Sequence, residues 1–442
     1  MRLFKFIVKS ILRLNVCAII LAGFFVLSRE EFRKKLFSRN KKMVLVFSPN
    51  RWKEDISVIK DDGRLEFCEF SEDIVYLVNS LYYGDVYCSE GNNYFRCDED
   101  SFLQGRSRHV NYLATFLWAL KLFMPFGAIV TCSFRYVQEV PWALASEKKR
   151  IPFVAWHKEF TVLDHRYLRR RALEAKRMRL KFYGSHLLCV NNFGKDLLIR
   201  ASIAKPEQIE VVGLVRADIL HEKRRREQLS MKKKDALILF SFGHLTGPFP
   251  SHPFRHYYFS ATNDFGFVSL FRKVHALFAQ VSEEFPDIEF LIKPKNIEPG
   301  WISEIENEIL AETGKKLDSY PNCRITDAGA HDLIGRSLGN VVLNSTTVIE
   351  SRMANCNTIM PLFEEAANVH SDMLYFQDDI DIFSVADSEE EFCNLLRKSA
   401  EGQVFSQGTE ERLLEFLLKQ IGNADGASAN RLVDGLLVAI DG

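Results

Sequence analysis

The chain contains 442 residues, of which 47% are hydrophobic and 26% are charged, and both values are ordinary for a globular protein. Its length predicts two domains with ample core. The formal net charge is zero, but residues 1–42 hold eleven Lys and Arg and two Glu, so this segment carries +9 and the rest of the chain carries −9. A basic tip on a mildly acidic body indicates contact with anionic lipid and argues against a general nucleic-acid binder.

Nine cysteines are scattered along the chain, and no two of them form a Cys-x-x-Cys pair. An odd number without paired spacing argues against a disulfide framework and a zinc site, and it fits a reducing compartment. The chain also lacks Gly-x-x-x-x-Gly-Lys-Ser/Thr and His-Glu-x-x-His, which removes support for a P-loop kinase and for a zinc protease.

The N-terminal region combines an apolar run with basic flanks. The run, Val16 to Leu27, is twelve residues long. Twelve helical residues span roughly 18 Å, whereas the hydrocarbon core of a bilayer is about 30 Å thick. We therefore expect residues 1–42 to form a membrane-associating segment at the cytoplasmic face, peripheral or shallowly anchored. A cleaved signal peptide and a helix packed on the protein body are the alternatives.

From Met43 onward, short apolar segments alternate with helical segments, which predicts βαβ units and a parallel sheet. In the first half, strands are predicted at 43–48, 85–88, 128–132, 151–156, 185–190 and 208–212, and helices at 110–124, 140–149, 163–182 and 194–201. In the second half, strands are predicted at 236–242, 289–293, 323–325, 341–343 and 358–362, and helices at 267–285, 302–314, 390–400 and 410–421.

These segments predict an α/β fold of two doubly wound, Rossmann-like domains that face a cleft. The first domain is expected at residues 43–220 and the second at 236–442. Residues 221–235 are rich in Lys and Arg and are expected to link them. Ligands of such folds bind beyond the carboxyl ends of the strands, so candidate residues are sought there.

One strand of the second half runs directly into the polar turn Asn344-Ser345-Thr346-Thr347, and a helical segment follows. Hydroxyls and backbone N–H groups at a helix N-terminus favour a bound anion. Glu350 lies about one helical turn further on, within reach of a ribose hydroxyl if a nucleotide crosses the turn. The alternative is an ordinary capped helix, because Ser and Thr are good N-caps.

Three further segments carry a family resemblance. Residues 206–218 contain a strand that ends in Gly213 and is followed by Arg216 and Asp218. Residues 153–157 form a strand that ends in Trp-His, and residues 291–295 have the sequence Leu-Ile-Lys-Pro-Lys. With the polar turn, they resemble GT-B glycosyltransferases of the CDP-glycerol glycerophosphotransferase and surface-carbohydrate group. The resemblance covers roughly residues 150–365. Lys158 and Glu159 stand where that group has Gly and a short polar run, which argues against glycerol phosphate as the substrate.

Candidate residues lie at or just beyond the ends of predicted strands in both domains, and the resemblance strengthens the case for the first of them, His157. His157, at the end of its strand, is the candidate base for an acceptor hydroxyl, and Glu159 orients it or acts as the base itself. Lys293 ends a buried strand and can neutralise a donor phosphate as a compact cation. Gly243 lets the backbone approach a phosphate closely. The alternative for His157 is a histidine buried in the core, and the alternative for Lys293 is a solvated lysine at the end of a strand.

The implied function is transfer of a sugar from a nucleotide-activated donor to a cell-surface polysaccharide or glycolipid. The donor phosphates are expected at the Asn344–Thr347 turn and the ribose near Glu350. No metal or cofactor is expected, because Lys293 and helix termini can stabilise the leaving phosphate. The partners would be the donor, the acceptor and an anionic membrane surface. The alternatives are a CDP-glycerol or ribitol phosphotransferase, a UDP-sugar 2-epimerase and a catalytically inactive scaffold.

Overall fold

The computed structural model describes residues 14–28, 42–70, 72–83, 100–135, 139–158, 168, 172–173, 175–227, 234–242, 267–294, 299–368 and 374–442. The chain divides into two compact units. The first comprises Met1–Thr161, His165–Asp218 and Ile421–Gly442, and the second comprises Val162–Asp164 and Ile219–Gln420.

The first unit is built around a six-stranded sheet whose neighbouring strands are all parallel. Its strands are β1 (Lys42–Val46), β2 (Leu65–Glu69), β3 (Ala128–Thr131), β4 (Phe153–His157), β5 (His186–Cys189) and β6 (Ile209–Val211). They lie in the order β2-β1-β3-β4-β5-β6. Strand β4 is buried along its whole length, as expected for a central strand covered on both faces.

Helices connect these strands. In chain order they are α1 (Asn15–Ser28), α2 (Lys53–Lys60), α3 (Glu72–Tyr83), α4 (Asp100–Phe123), α5 (Val140–Lys148) and α6 (Asn192–Arg200), with single 3₁₀ turns at Pro49–Arg51 and Pro206–Gln208. Strand β2 escapes prediction because Glu66 and Glu69 interrupt its apolar pattern. The strand predicted at 85–88 lies outside the described residues.

The second unit contains another six-stranded sheet with parallel neighbours throughout. Its strands are β7 (Ala236–Phe240), β8 (Glu289–Lys293), β9 (Cys323–Ile325), β10 (Ser337–Val341), β11 (Asn357–Pro361) and β12 (Ser384–Ala386). They lie in the order β12-β11-β10-β7-β8-β9. The predicted strand at 341–343 overlaps β10 only at Val341, because β10 starts earlier, at Ser337, and ends at Val341.

The remaining helices follow in chain order. They are α7 (Ala217–Glu227), α8 (Val268–Ser282), α9 (Pro299–Thr313), α10 (Ala330–Gly335), α11 (Thr347–Met353), α12 (Glu389–Ala400), α13 (Glu410–Ile421) and α14 (Ser428–Asp441), with 3₁₀ turns at Leu317–Ser319, Glu364–Ala366 and Gln377–Ile382. Residues 221–235, predicted as a linker, begin inside α7. Buried Ala217 and Leu220 anchor the start of this helix, and the units divide between Asp218 and Ile219.

The end of the chain returns to the first unit, which corrects the predicted second domain of 236–442. Helix α14 packs on α2 and on β3, β4 and β5. Asp218 caps it, because its Oδ2 accepts a 2.8 Å hydrogen bond from Ala429 N. Gly213 lies beside the same helix with a φ of 90°, and a Cβ there would lie 2.2 Å from Ser428 Oγ. The Gly and Asp that carried the family resemblance therefore anchor the returning chain.

Helix α1 packs on α4 and forms part of the first unit's core. Ala18, Ala22, Phe25 and Val26 are its buried residues. The ring centroid of Phe25 lies 4.7 Å from that of Phe70. For residues 15–28, the structure therefore shows the helix packed on the protein body that the sequence left as an alternative.

Within the described parts of the chain, no helix combines the length and the apolar character that crossing a bilayer requires.

Candidate functional site

His157 is the last residue of β4, at the predicted carboxyl end of a central strand. Its residue exposure is 1%, and its ring centroid lies 4.7 Å from that of Phe134. The position is therefore the predicted one, but the side chain is buried. This burial also fits the alternative of a core histidine.

Two ion pairs hold the carboxylates at the same edge of the first sheet. Lys158 Nζ lies 3.0 Å from Asp55 Oδ2, and Asp55 Oδ1 accepts a 3.1 Å hydrogen bond from Arg216 N. Arg51 Nη1 lies 3.1 Å from Glu139 Oε1. Asp55 and Glu139 are each 1% exposed.

These pairs bear on which side chain can accept a proton. Each of these carboxylates is already engaged by a cation, so neither is free to bond an acceptor hydroxyl. Of the side chains described at this edge, His157 is therefore the better proton acceptor on chemical grounds. Glu159, the other predicted base, lies outside the described residues.

The polar turn follows β10 in the second unit and is held by its own side chains. Asn344 adopts a left-handed conformation with φ 47°, and its Oδ1 accepts a 2.8 Å hydrogen bond from Tyr375 N. Ser345 Oγ accepts a 3.2 Å bond from Thr347 N and lies 2.9 Å from Thr347 Oγ1. Residues 344–347 are all partly exposed.

The helix after this turn, α11, has seven residues, about two turns. A dipole of that length is small, and the Thr347 amide is already bonded within the turn. Asn344 shapes the turn through its bond to Tyr375. Any anion here would therefore be bound mainly by the hydroxyls of Ser345, Thr346 and Thr347, which modifies the expected helix-terminus site.

Glu350 is buried, with an exposure of 3%. Its Oε2 lies 3.6 Å from Nε2 of His331, which belongs to α10. The sequence identifies the acid but not this partner. The pair places one carboxylate and one imidazole side by side in the second unit. The carboxylate can accept a hydrogen bond from one of two vicinal hydroxyls, and the imidazole can donate a hydrogen bond to the other.

Lys293 ends β8 and is half-buried. Burial lowers its pKa below the usual 10.5, and the Asp327 carboxylate opposes that shift. Its Nζ donates a 2.9 Å hydrogen bond to Pro294 O. A partly desolvated ammonium interacts more strongly with an anion than a solvated one does, so the setting suits a phosphate ligand.

A buried serine–histidine contact lies at the end of β7, between the ends of β10 and β8. His275 Nε2 is 3.0 Å from Ser241 Oγ, and His275 Nδ1 is 2.7 Å from Phe271 O. Burial lowers the pKa of His275 to about 4, so the ring is neutral at pH 7. Since Nδ1 must donate to the carbonyl, Nε2 accepts from the serine and fixes its hydroxyl.

The topology brings the second-unit residues to one edge. Strand β7 separates β10 from β8, and neighbouring strands lie about 4.8 Å apart, so the strands that lead to the polar turn and to Lys293 are roughly 10 Å apart. Predicted Gly243, which follows β7, lies outside the described residues. The N-terminus of helix α8 is already occupied by a carboxylate. Glu365 accepts hydrogen bonds from Ser269 N at 2.7 Å and from Leu270 N at 2.9 Å.

The described residues form neither a metal site nor an exposed hydrolase motif. No three His, Cys, Asp or Glu side chains of the described residues converge on a point that could hold a metal ion. Gly335 to Gly339 has the spacing of the Gly-x-Ser-x-Gly hydrolase motif, but Ser337 begins β10 and is fully buried. That motif needs its serine exposed on a strand-to-helix turn.

Neither protein-family models nor curated proteins gave a match. Among solved structures, the chain is similar to UDP-GlcNAc 2-epimerase from Neisseria meningitidis bound to UDP-GlcNAc, with 11% identity, 90% of this chain and 100% of that chain covered, and a TM-score of 0.47.

Two further structures show the same level of likeness. For UDP-GlcNAc 2-epimerase from Methanocaldococcus jannaschii the identity is 11%, the coverage is 90% of this chain and 99% of that chain, and the TM-score is 0.49. For a glycosyltransferase from Rickettsia africae the identity is 14%, the coverage is 91% of this chain and 96% of that chain, and the TM-score is 0.41. At these identities and TM-scores, the likeness fixes neither the activity nor the substrate of this chain.

Proposed function

We propose that this chain is a GT-B-type glycosyltransferase that moves a sugar from a nucleotide-activated donor to a cell-surface polysaccharide or glycolipid. The observation that supports this best is the group of polar side chains at the carboxyl edge of the second sheet. The group comprises the hydroxyl turn, half-buried Lys293 and the Glu350–His331 pair. Nucleotides bind at this edge in doubly wound folds.

The donor is proposed to lie along that edge. Its phosphates contact the hydroxyls of Ser345, Thr346 and Thr347 on one side and Lys293 on the other. The two strands that lead to these groups are separated by two strand spacings, roughly 10 Å, and we propose that the diphosphate spans this distance. The ribose hydroxyls bond to Glu350, which His331 orients.

The acceptor is proposed to bind at the carboxyl edge of the first sheet, with His157 as the base. The acceptor oxygen forms a bond to the anomeric carbon while the bond from that carbon to the phosphate oxygen breaks. The leaving nucleotide takes the electron pair, and His157 takes the hydroxyl proton. Lys293 stabilises the charge that develops on the leaving phosphate.

A ligand screen tests the proposal. The full-length protein is heated with CMP-, CDP-, UDP-, GDP- and TDP-linked sugars, and the unfolding midpoint is recorded. A bound donor stabilises the folded state by mass action, by about 2.7 kcal/mol at 100 times its Kd. No shift with any nucleotide would contradict the proposal and favour the inactive scaffold.

The reaction product then separates the enzymatic alternatives. A glycosyltransferase releases nucleotide in step with the appearance of a glycosylated acceptor. A UDP-sugar 2-epimerase changes the donor sugar without any acceptor. A phosphotransferase uses CDP-glycerol or CDP-ribitol and releases CMP. Either of the last two outcomes would replace the proposed activity but keep the nucleotide site.

A further inference from the structure

Helix α1 has a second apolar face that points away from the core. Val16, Ile20, Phe24 and Leu27 recur at helical spacing and are 56%, 65%, 67% and 65% exposed. The opposite side of the helix contributes Phe25 and its buried neighbours to the core. A helix that is apolar all round is ordinarily buried on every side, so this exposed face needs a partner.

Helix α4 extends this face. Trp118, Leu122 and Phe123, near its end, are 48%, 65% and 42% exposed. Phe123 covers α1 at Gly23, where a Cβ would lie 3.6 Å from the Phe123 ring. The exposed side chains of the two helices are therefore contiguous. We call them the outer face, which consists of Val16, Ile20, Phe24, Leu27, Trp118, Leu122 and Phe123.

Basic residues occur on α4, at the end of α5 and in the sequence on either side of α1. Lys121 is exposed among its α4 members. Lys148 Nζ donates a 2.8 Å hydrogen bond to Asn111 Oδ1 in the middle of α4. Lys148 stands between exposed Glu147 and the exposed pair Lys149 and Arg150. The sequences on either side of α1 hold eleven Lys and Arg against two Glu within residues 1–42. The partner that complements this surface is therefore apolar and anionic.

We propose that the outer face docks on an anionic lipid bilayer, with α1 and the end of α4 lying along the interface. Phe24, Leu27 and Leu122 would enter the acyl boundary, and Trp118 would lie at headgroup level. Lys121 would pair with anionic headgroups, and the net charge of +9 on residues 1–42 would attract this part of the chain to an anionic surface. The proposed docking surface is formed by two helices that pack on each other in the first unit. It differs in this from an N-terminal anchor that is separate from the folded domain.

A second copy of the chain is a poorer partner. A symmetric dimer places the same patch of each subunit against the other. Lys121 would then approach its own copy, and like charges in contact oppose association. Lipid supplies the opposite charge instead.

Vesicle flotation with the full-length chain tests this inference without reference to any activity. Vesicles of pure phosphatidylcholine are compared with vesicles that contain phosphatidylserine. The test variant is Phe24→Asp with Leu122→Asp. The matched control is Val404→Asp with Leu418→Asp, two residues of the second unit that are 83% and 56% exposed. Both variants add the same charge.

We expect the test variant to lose at least about tenfold in affinity for the anionic vesicles, while the control keeps the wild-type value. Lys121→Glu should lose about tenfold on anionic vesicles and little on neutral ones. Equal binding by both double variants, or no binding by the wild type, would overturn the inference. A wild-type dimer that the test variant converts to a monomer would replace lipid with a second copy.

A pair of adjacent substitutions checks that the two faces of α1 differ as described. Phe25→Ala should lower the midpoint of thermal unfolding by about 5–10 °C, because it opens a cavity in the core. Phe24→Ala should leave it nearly unchanged. Equal loss of stability in both variants would mean that the outer face is covered by protein, and the lipid proposal would fail.

Discussion

The carboxyl edges of the two sheets hold their polar residues in different ways. At the first edge, Asp55 and Glu139 are each 1% exposed and each is bonded to a cation. At the second edge, Ser345, Thr347 and Lys293 are partly exposed, and their described bonds stay within their own segments. The first edge therefore uses its charges for structure, and the second keeps polar groups that a ligand can reach.

The difference has an energetic basis. Burying two charges costs several kcal/mol of desolvation per ion, which the pair recovers only with good geometry and additional hydrogen bonds. Asp55 meets that condition, because Lys158 and Arg216 N occupy its two oxygens. A half-buried group such as Lys293 loses less on folding and can still gain from an incoming phosphate. Substitutions at the two edges should therefore have different consequences.

The largest expected effect concerns His157. His157→Gln keeps a polar side chain of similar size but removes the base, so we expect turnover to fall by about 100- to 10,000-fold. Donor affinity and thermal stability should stay near the wild-type values. Steady-state kinetics and a donor titration measure both quantities. If turnover survives while stability falls, His157 is a core residue and the base lies elsewhere.

Asp55 tests the structural character of the first edge. Asp55→Ala leaves Lys158 without its buried partner, and we expect the free energy of unfolding to fall by about 3–5 kcal/mol. Urea denaturation measures the change. The control is Glu69→Ala, which breaks the exposed Lys60–Glu69 pair and should cost about 0–1 kcal/mol. Equal costs for the two variants would abolish the distinction between the edges.

The sequence predicts most of the fold but less of the site. Short apolar segments identify ten of the twelve strands in the described parts of the chain, because buried parallel strands are apolar on both faces. Strand β2 escapes because of its two glutamates, and β12, Ser384–Ala386, is too short to leave a pattern. The hydroxyl turn and Lys293 are predicted at the correct edge because strand ends can be read from apolar runs.

Contacts between distant segments account for what the sequence misses. The partnership of Glu350 with His331 depends on how α10 and α11 pack, and that of Ser241 with His275 depends on α8. The return of α14 to the first unit depends on Asp218, whose capping role appears only with the fold. Helix α1 is apolar on both sides, so its sequence does not indicate which face enters the core.

Lys293 tests the second edge through pH. A bound phosphate favours the protonated amine, so donor affinity should be highest where Lys293 is charged. Because burial lowers its pKa, affinity should begin to fall with rising pH before the usual 10.5 is reached. Lys293→Gln should weaken binding by about 1.5–3 kcal/mol at neutral pH and remove this dependence. Lys293→Arg should bind independently of pH in that range, since guanidinium stays charged. Calorimetric titrations from pH 7 upward measure these profiles. If Lys293→Gln kept the pH dependence of the wild type, a contact between Lys293 and the phosphate would be excluded.

The smallest expected effect concerns Glu350 and its partner. Glu350→Ala removes a carboxylate from the proposed ribose site, so we expect donor binding to weaken by about 1–3 kcal/mol. Calorimetry with the donor found in the screen measures this change, and exposed Glu390→Ala on α12 serves as the control. A double-mutant cycle with His331→Ala separates the roles of the two side chains.

If His331 acts by orienting Glu350, the double variant should bind the donor no more weakly than Glu350→Ala alone, and the coupling energy should equal in size the cost of His331→Ala. Additive costs would show that each side chain contacts the donor separately. Unchanged affinity in a folded Glu350→Ala protein would remove the pair from the donor site and leave the hydroxyl turn and Lys293 as its remaining groups.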